Sequence, residues 1–192
     1  FVEEGGNLRA GSLGLEAAAA NDASLDSVIA AVSAVDVGVI RPTVRTSHVV
    51  DAYVGARAGA AGSGTAGSID LAGSLALRAG QIGSGNRAAV DAFSFSAGLV
   101  NVTSVRPDVQ AGGQTLAHLG GNFTIDASGV NVTAAAPANA AASDVFALDI
   151  ELVGVSPGGS PDPIRVTHET AAYLADGADV TVTGAPTAFL AE

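Results

Sequence analysis

Cysteine, methionine and tryptophan are absent from this 192-residue chain. Lysine is absent too, and all eight basic residues are arginine. Without cysteine there is neither a disulfide framework nor a thiolate metal site. Aromatic residues make up 4% of the chain and charged residues 14%, against roughly a quarter charged in an ordinary globular domain. So little charge beside 48% hydrophobic residues excludes an intrinsically disordered chain. A net charge of −11 leaves no basic footprint, so no nucleic-acid partner is expected. The same acidity would repel anionic lipid. No apolar run reaches the ~20 residues of a membrane-spanning helix. The longest Ala/Val-rich reach, Val28 to Ile40, is broken by Ser33 and Asp36, so membrane insertion is not expected. The chain opens on Phe1 with no signal-peptide pattern, and is expected to be a processed chain or a segment of a longer one.

What the sequence does contain is repetition. Ser68-Ile69-Asp70-Leu71-Ala72-Gly73-Ser74-Leu75-Ala76-Leu77-Arg78 returns in two related forms. Asn7-Leu8-Arg9-Ala10-Gly11-Ser12-Leu13-Gly14-Leu15-Glu16 precedes it, and Asn122 to Thr133 follows it. A second block, Val44 to Tyr53, aligns with Val109 to His118 and with Ile164 to Tyr173. An aliphatic residue opens each copy and a ring closes it, with a Gly-containing turn next. Phe1 fits the close of an earlier copy, so Phe1, Tyr53, His118 and Tyr173 become equivalent positions. The pattern predicts that these four rings stack as a structural ladder between successive turns of chain.

A third element, Val90 to Val102, alternates in places with period two, as a half-buried strand does. Its expected counterparts are Ser27 to Val39 and Asp144 to Val155. Each copy then reaches a proline corner at Pro42, at Pro107, or in the run that ends at Pro163. Proline has no N–H to give a sheet ladder, so these corners should end strands. Residues 13–36 also suit a helix, because Glu16 and Ala17 to Ala20 are good helix formers. The aligned copy carries Gly80, Gly83, Gly85 and Phe93-Ser94-Phe95-Ser96, which a helix tolerates badly, so strand is the expectation.

These elements predict one all-β domain over 1–192, a β-solenoid of about three repeats of roughly 55 residues with three strands each. The repeats run about 1–53, 54–118 and 119–173, with 174–192 starting a further one. One coil or two smaller coils per repeat both fit the length.

Several stretches together resemble the repeats of leukotoxin-type filamentous adhesins, giant surface proteins of bacteria. They are Asp51-Ala52-Tyr53-Val54-Gly55, Ile69 to Leu77, Phe93 to Val102 and Val105-Arg106-Pro107. The resemblance implies an exported, elongated protein at the cell surface or outside the cell. It also implies a structural or adhesive role, with no catalytic residues to carry over.

Other chemistry has weaker support in the residues. His48 and His168 share an offset from their tyrosines, but Gly113 interrupts the series, which would leave the two rings a whole repeat apart. No metal site is therefore expected. Asp176-Gly177-Ala178-Asp179 offers oxygen ligands of the kind calcium takes, but lacks the Gly-Gly-x-Gly-x-Asp repeat of calcium-loaded β-rolls. Solvated turn residues are the preferred reading, with no cofactor. Asp149 and Glu151 would share a strand face, the arrangement a glycosidase needs, though nothing marks them as buried. Three Asn-x-Thr sequons occur, at Asn101, Asn122 and Asn131. The functional expectation is a non-enzymatic segment of a secreted fibre, stalk or adhesin. Its partners would be its own neighbouring repeats and a host or cell-surface receptor or glycan. A polysaccharide-acting enzyme or carbohydrate-binding module is the alternative, and a subunit of a non-covalent pilus-like filament the next.

Overall fold

Period-two alternation dictates most of the architecture. Between Thr43 and Gly55 the buried positions include Val44, Thr46, Val50, Ala52 and Val54, while Thr43, Arg45, Ser47 and Val49 face solvent. Gly67–Leu71 and Phe123–Ala127 alternate just as cleanly. A computed structural model of the chain describes residues 1–60, 63–136, 139–154, 164–184 and 187–192. Side chains are described for all of these except 36–37, 83–84, 101–103 and 146–154. Among the described residues the protein is all-β, with 78% of the chain in strands and no helix, so the helical alternative for residues 13–36 is excluded.

The strands are β1 (Val2–Glu3), β2 (Asn7–Ala10), β3 (Leu13–Ile40), β4 (Thr43–Gly55), β5 (Gly67–Leu71), β6 (Ser74–Val105) and β7 (Asp108–Leu119). They continue as β8 (Phe123–Ala127), β9 (Gly129–Ala135), β10 (Asn139–Gly154), β11 (Arg165–Leu174), β12 (Asp179–Val182) and β13 (Ala188–Ala191). Among the described residues three sheets form, and every pairing is parallel. The first runs β1-β4-β7-β11 and the second β2-β5-β8-β12. The third centres on β6, with β3 along one side and β9 and β10 along the other, and β13 beyond β9. Order within each sheet follows order in the chain. Each pass of the chain therefore lays strands on the strands of the pass before. Parallel strands need long crossovers, and here the other two sheets supply them.

Local chemistry fixes the corners. Between the first and second sheets, each pass has a residue in the left-handed region: Gly5, Gly55, Asn122 and Gly177. Glycine adopts that conformation without penalty, and asparagine is the side chain that tolerates it best. Backbone bonds carry on through these corners, as in Gly67 N–H to Asn122 O (2.9 Å) and Asn122 N–H to Gly177 O (3.0 Å). Pro42 and Pro107 are buried one above the other at the corner that follows β3 and β6. There Asp108 N–H donates to Pro42 O at 2.9 Å. Pro163 lies outside the described residues.

The third element is registered differently from the expectation. Val90 pairs with Leu25 and Ser143, not with Ser27 and Asp144. Along β3 the reason is an irregularity between Ala19 and Asn21, opposite the Gln81–Asn86 stretch where Gly85 has φ 72°. Extra residues of β6 are absorbed there. Apolar alternation alone carries no mark of such a bulge.

The core is divided in two. The larger cluster joins all three sheets through Val50, Val54, Ile69, Leu75, Leu77, Leu119, Phe123, Ile125 and Val132. Removing each large aliphatic or aromatic side chain from water contributes about 1.5–3 kcal/mol. The smaller cluster sets Val44, Val109 and Ala111 against Ala88, Val90 and Ala92. Val105 packs on this second cluster as well. Fully extended, the stretch from Ala92 to Val105 would span about 40 Å, so it must double back on itself to reach the same few residues. Outside the clusters that stretch and its neighbour leave Val28, Val32 and Leu99 exposed.

Candidate functional site

The first sheet carries a row of rings in register. Tyr53 of β4 is paired with His118 of β7, and His118 with Tyr173 of β11. Their ring centroids lie 5.7 Å and 4.8 Å apart with the planes 11° and 6° from parallel. Phe1 stacks on Tyr53 at 5.1 Å and 5°. The four positions singled out in the sequence thus form one continuous column of rings. Each contact repeats the spacing of adjacent parallel strands, about 4.8 Å, so the sheet itself sets the stacking distance. Such aromatic pairs contribute about 0.5–1.5 kcal/mol each beyond the area they bury.

A charged group is sealed against this column. Asp51 Oδ1 lies 3.1 Å from His118 Nε2, with both side chains almost wholly buried. The other carboxylate oxygen, Oδ2, accepts a bond from Ala58 N–H at 3.2 Å, so the loop after β4 covers the acid. Burial holds the His118 pKa below the usual imidazole range despite the attraction of Asp51. Burial, then the negative charges of Glu3 and Asp51, raises the Tyr53 phenol. Burial, then Asp51 and Glu169, raises that of Tyr173.

Two further histidines meet inside. Gly113 of β7 pairs with His48 of β4 on one side and with His168 of β11 on the other. Their backbones are two strand steps apart, about 9.6 Å, yet the ring centroids approach to 5.4 Å with a tilt of 37°. The expected separation of a whole repeat is therefore wrong. Gly113 has no side chain, so the rings lean together over the gap it leaves. Its φ is +141°, and a Cβ there would collide with the His48 carbonyl oxygen. Thr115 Oγ1 is 3.0 Å from His168 Nε2. Burial, followed by the proximity of His48, lowers the His168 pKa.

Two constellations escaped the sequence reading. Asn21, Asn86 and Asn139 stand in register across β3, β6 and β10. Asn86 is fully buried, and its Nδ2 donates to Gly112 O at 2.7 Å. Asn21 Nδ2 makes the equivalent bond to Ser47 O at 3.4 Å. On the third pass the pattern changes, and Asn139 accepts from Gln81 Nε2 at 3.0 Å. The shared Asn-x-Ala signature was visible at all three positions, but it is short and the bulge hid its alignment. Asp26, Asp91 and Asp144 form the second constellation, also in register. With Val28 and Phe93 they line an open depression of about 430 Å³. Here the signal was an apolar or serine residue, then Asp, repeated ahead of Val28, Phe93 and Phe146.

The remaining candidates are dispersed. Asp176 is an exposed turn residue, and Asp179 is exposed at the start of β12. Asp149 and Glu151 pair through their backbones with Ser96 and Gly98. Asn122 occupies the left-handed corner, while Asn131 is exposed and its Oδ1 accepts from Thr133 Oγ1 at 2.9 Å. Among the described residues, no three or more His, Asp or Glu side chains converge as a metal site. Compared with family models, curated proteins and solved structures, the chain matches none.

Proposed function

We propose that this chain is a β-solenoid segment of a secreted filamentous surface protein, a fibre, stalk or adhesin whose work is mechanical rather than catalytic. The observation that supports it is the order of strands. Each of three parallel sheets takes its strands in chain order, and the ring column runs through the passes in the same sequence. Stacking of that kind is cooperative and extends in one dimension, because each pass completes the backbone bonds of its neighbour. On this reading the repeats are about 1–53, 54–118 and 119–173, and the partners are neighbouring repeats end to end. The site of action is the cell surface or the space outside the cell, with a receptor or glycan at the far end. The adhesin-like motifs point the same way.

Negative-stain imaging of native material, with the length of the encoding reading frame, tests the proposal. Thin rods with a giant reading frame would fit one long polypeptide. Rods with a short frame would fit the pilus-like alternative. Compact particles that never elongate would remove both.

A second reading has one observation in its favour. The in-register aspartates 26, 91 and 144 beside Phe93 make a shallow acidic depression with an aromatic wall, which suits a sugar chain. A carbohydrate-binding module would bind a polysaccharide reversibly, and Asp91→Ala would weaken that binding. A glycan array that shows no retained sugar counts against it.

A further inference from the structure

The interior of the first sheet is polar where the two apolar clusters meet. His48 Nδ1 and Nε2, His168 Nδ1, Thr46 Oγ1 and Asn86 Oδ1 are all buried there without a hydrogen-bond partner. Asn86 is tied to this seam by its bond to Gly112, the residue beside Gly113. A buried polar atom left unpaired costs about 1–3 kcal/mol, so several in one seam call for a ligand to satisfy them.

We propose that His48 and His168 bind one first-row transition-metal ion between their rings, with water completing its coordination. The supporting geometry is the separation of the two rings. Metal–nitrogen distances of about 2.0–2.1 Å at a tetrahedral angle place two ring centroids about 5 Å apart. The observed separation is 5.4 Å, and the rings are tilted where those of the aromatic column are stacked. The Thr115 hydroxyl occupies His168 Nε2 and so leaves Nδ1 as the donor, the atom that is buried and unpaired. A hydrogen bond on the far nitrogen is how metal-bound histidines are ordinarily oriented. Neutral imidazole is the ligating form, and burial favours it at His168. Two imidazoles without thiolate or converging carboxylate select zinc, copper or nickel rather than calcium or magnesium. The site stands independently of whether the chain belongs to a fibre.

Titration of the purified full chain with Zn²⁺ at neutral pH tests it. One ion should bind per chain, and the imidazole NMR signals of His48 and His168 should move while those of His118 stay in place. His48→Gln and His168→Gln should each weaken binding at least tenfold, and Thr115→Val should weaken it about tenfold through loss of orientation. Should either glutamine variant fail to fold, the NMR titration of the unaltered chain decides alone. Absence of binding overturns the proposal, as does binding that shifts His118 or that survives loss of His48.

Discussion

Asp51 reaches diagonally across the first sheet to His118, which stacks between Tyr53 and Tyr173. One carboxylate thus anchors both the middle ring of the column and, through Ala58, the loop that follows its own strand. Its loss should be felt in both places. Asp51→Ala is expected to lower stability by about 2–4 kcal/mol, since a buried partner is left unpaired. Urea denaturation measures the change. Asp51→Asn keeps an acceptor for Ala58 N–H and should cost about half as much.

The ring column makes its own demand. Tyr53 is buried with a ring on each face, so Tyr53→Ala removes two stacked contacts and leaves a cavity. A loss of about 3–5 kcal/mol is expected, while Tyr53→Phe, which keeps the ring, should cost under about 1 kcal/mol. Equal losses for the two would show that the hydroxyl rather than the stacking matters.

Two glycines separate space from backbone conformation. At Gly113 the φ of +141° and the approach of the His48 backbone both forbid a side chain. Gly113→Ala should therefore destabilise by at least about 2 kcal/mol. Gly14 has an ordinary φ and nothing within 4 Å of where a Cβ would stand. Gly14→Ala should be neutral or stabilise by up to about 1 kcal/mol. Thermal unfolding of the pair checks both signs.

Why some of this could be read from the sequence and some could not follows from the physics of parallel stacking. Rings, aliphatics and turn glycines recur at equivalent positions, so the equivalence of Tyr53, His118 and Tyr173 could be written down from spacing alone. The direction in which a side chain leans is not encoded in spacing. Gly113 looked like a break in a histidine series, whereas in space its missing side chain is what lets His48 and His168 meet. The Asn21–Asn86–Asn139 row was hidden by the irregularity after Ala19, which displaces the alignment where the asparagines sit. Asp51 resembled any acidic residue in a strand. Only the folded loop over it, with Ala58 as donor, marks it as buried.

The asparagine row should matter unequally along its length. Asn86 is fully buried and its bond to Gly112 O is short, whereas Asn21 makes a longer bond on the outermost strand of its sheet. Asn86→Ala would leave the Gly112 carbonyl without that donor and cost about 1–3 kcal/mol. Asn21→Ala should cost under about 1 kcal/mol, because water can replace the amide. Chemical denaturation of both variants tests the ordering, and a larger effect at Asn21 contradicts it.

Acid should weaken the protein through its histidines before the carboxylates titrate. Two imidazoles, His118 and His168, have folded pKa values below the usual value near 6.5 because they are buried. His118 faces Asp51 and the rings of Tyr53 and Tyr173, and His168 faces His48 and Thr115. An unfolded chain protonates both near pH 6.5, while the folded chain holds them neutral to lower pH. Between those limits the unfolded state binds more protons, so stability rises with pH. The protein should be at full strength above about pH 7 and lose stability progressively as pH falls through about 6 towards 5. Urea midpoints measured across that range give the slope. His168→Gln removes one of the two titrating groups and should flatten it, and a midpoint independent of pH between about 7 and 5 would show that neither imidazole is held neutral by the fold.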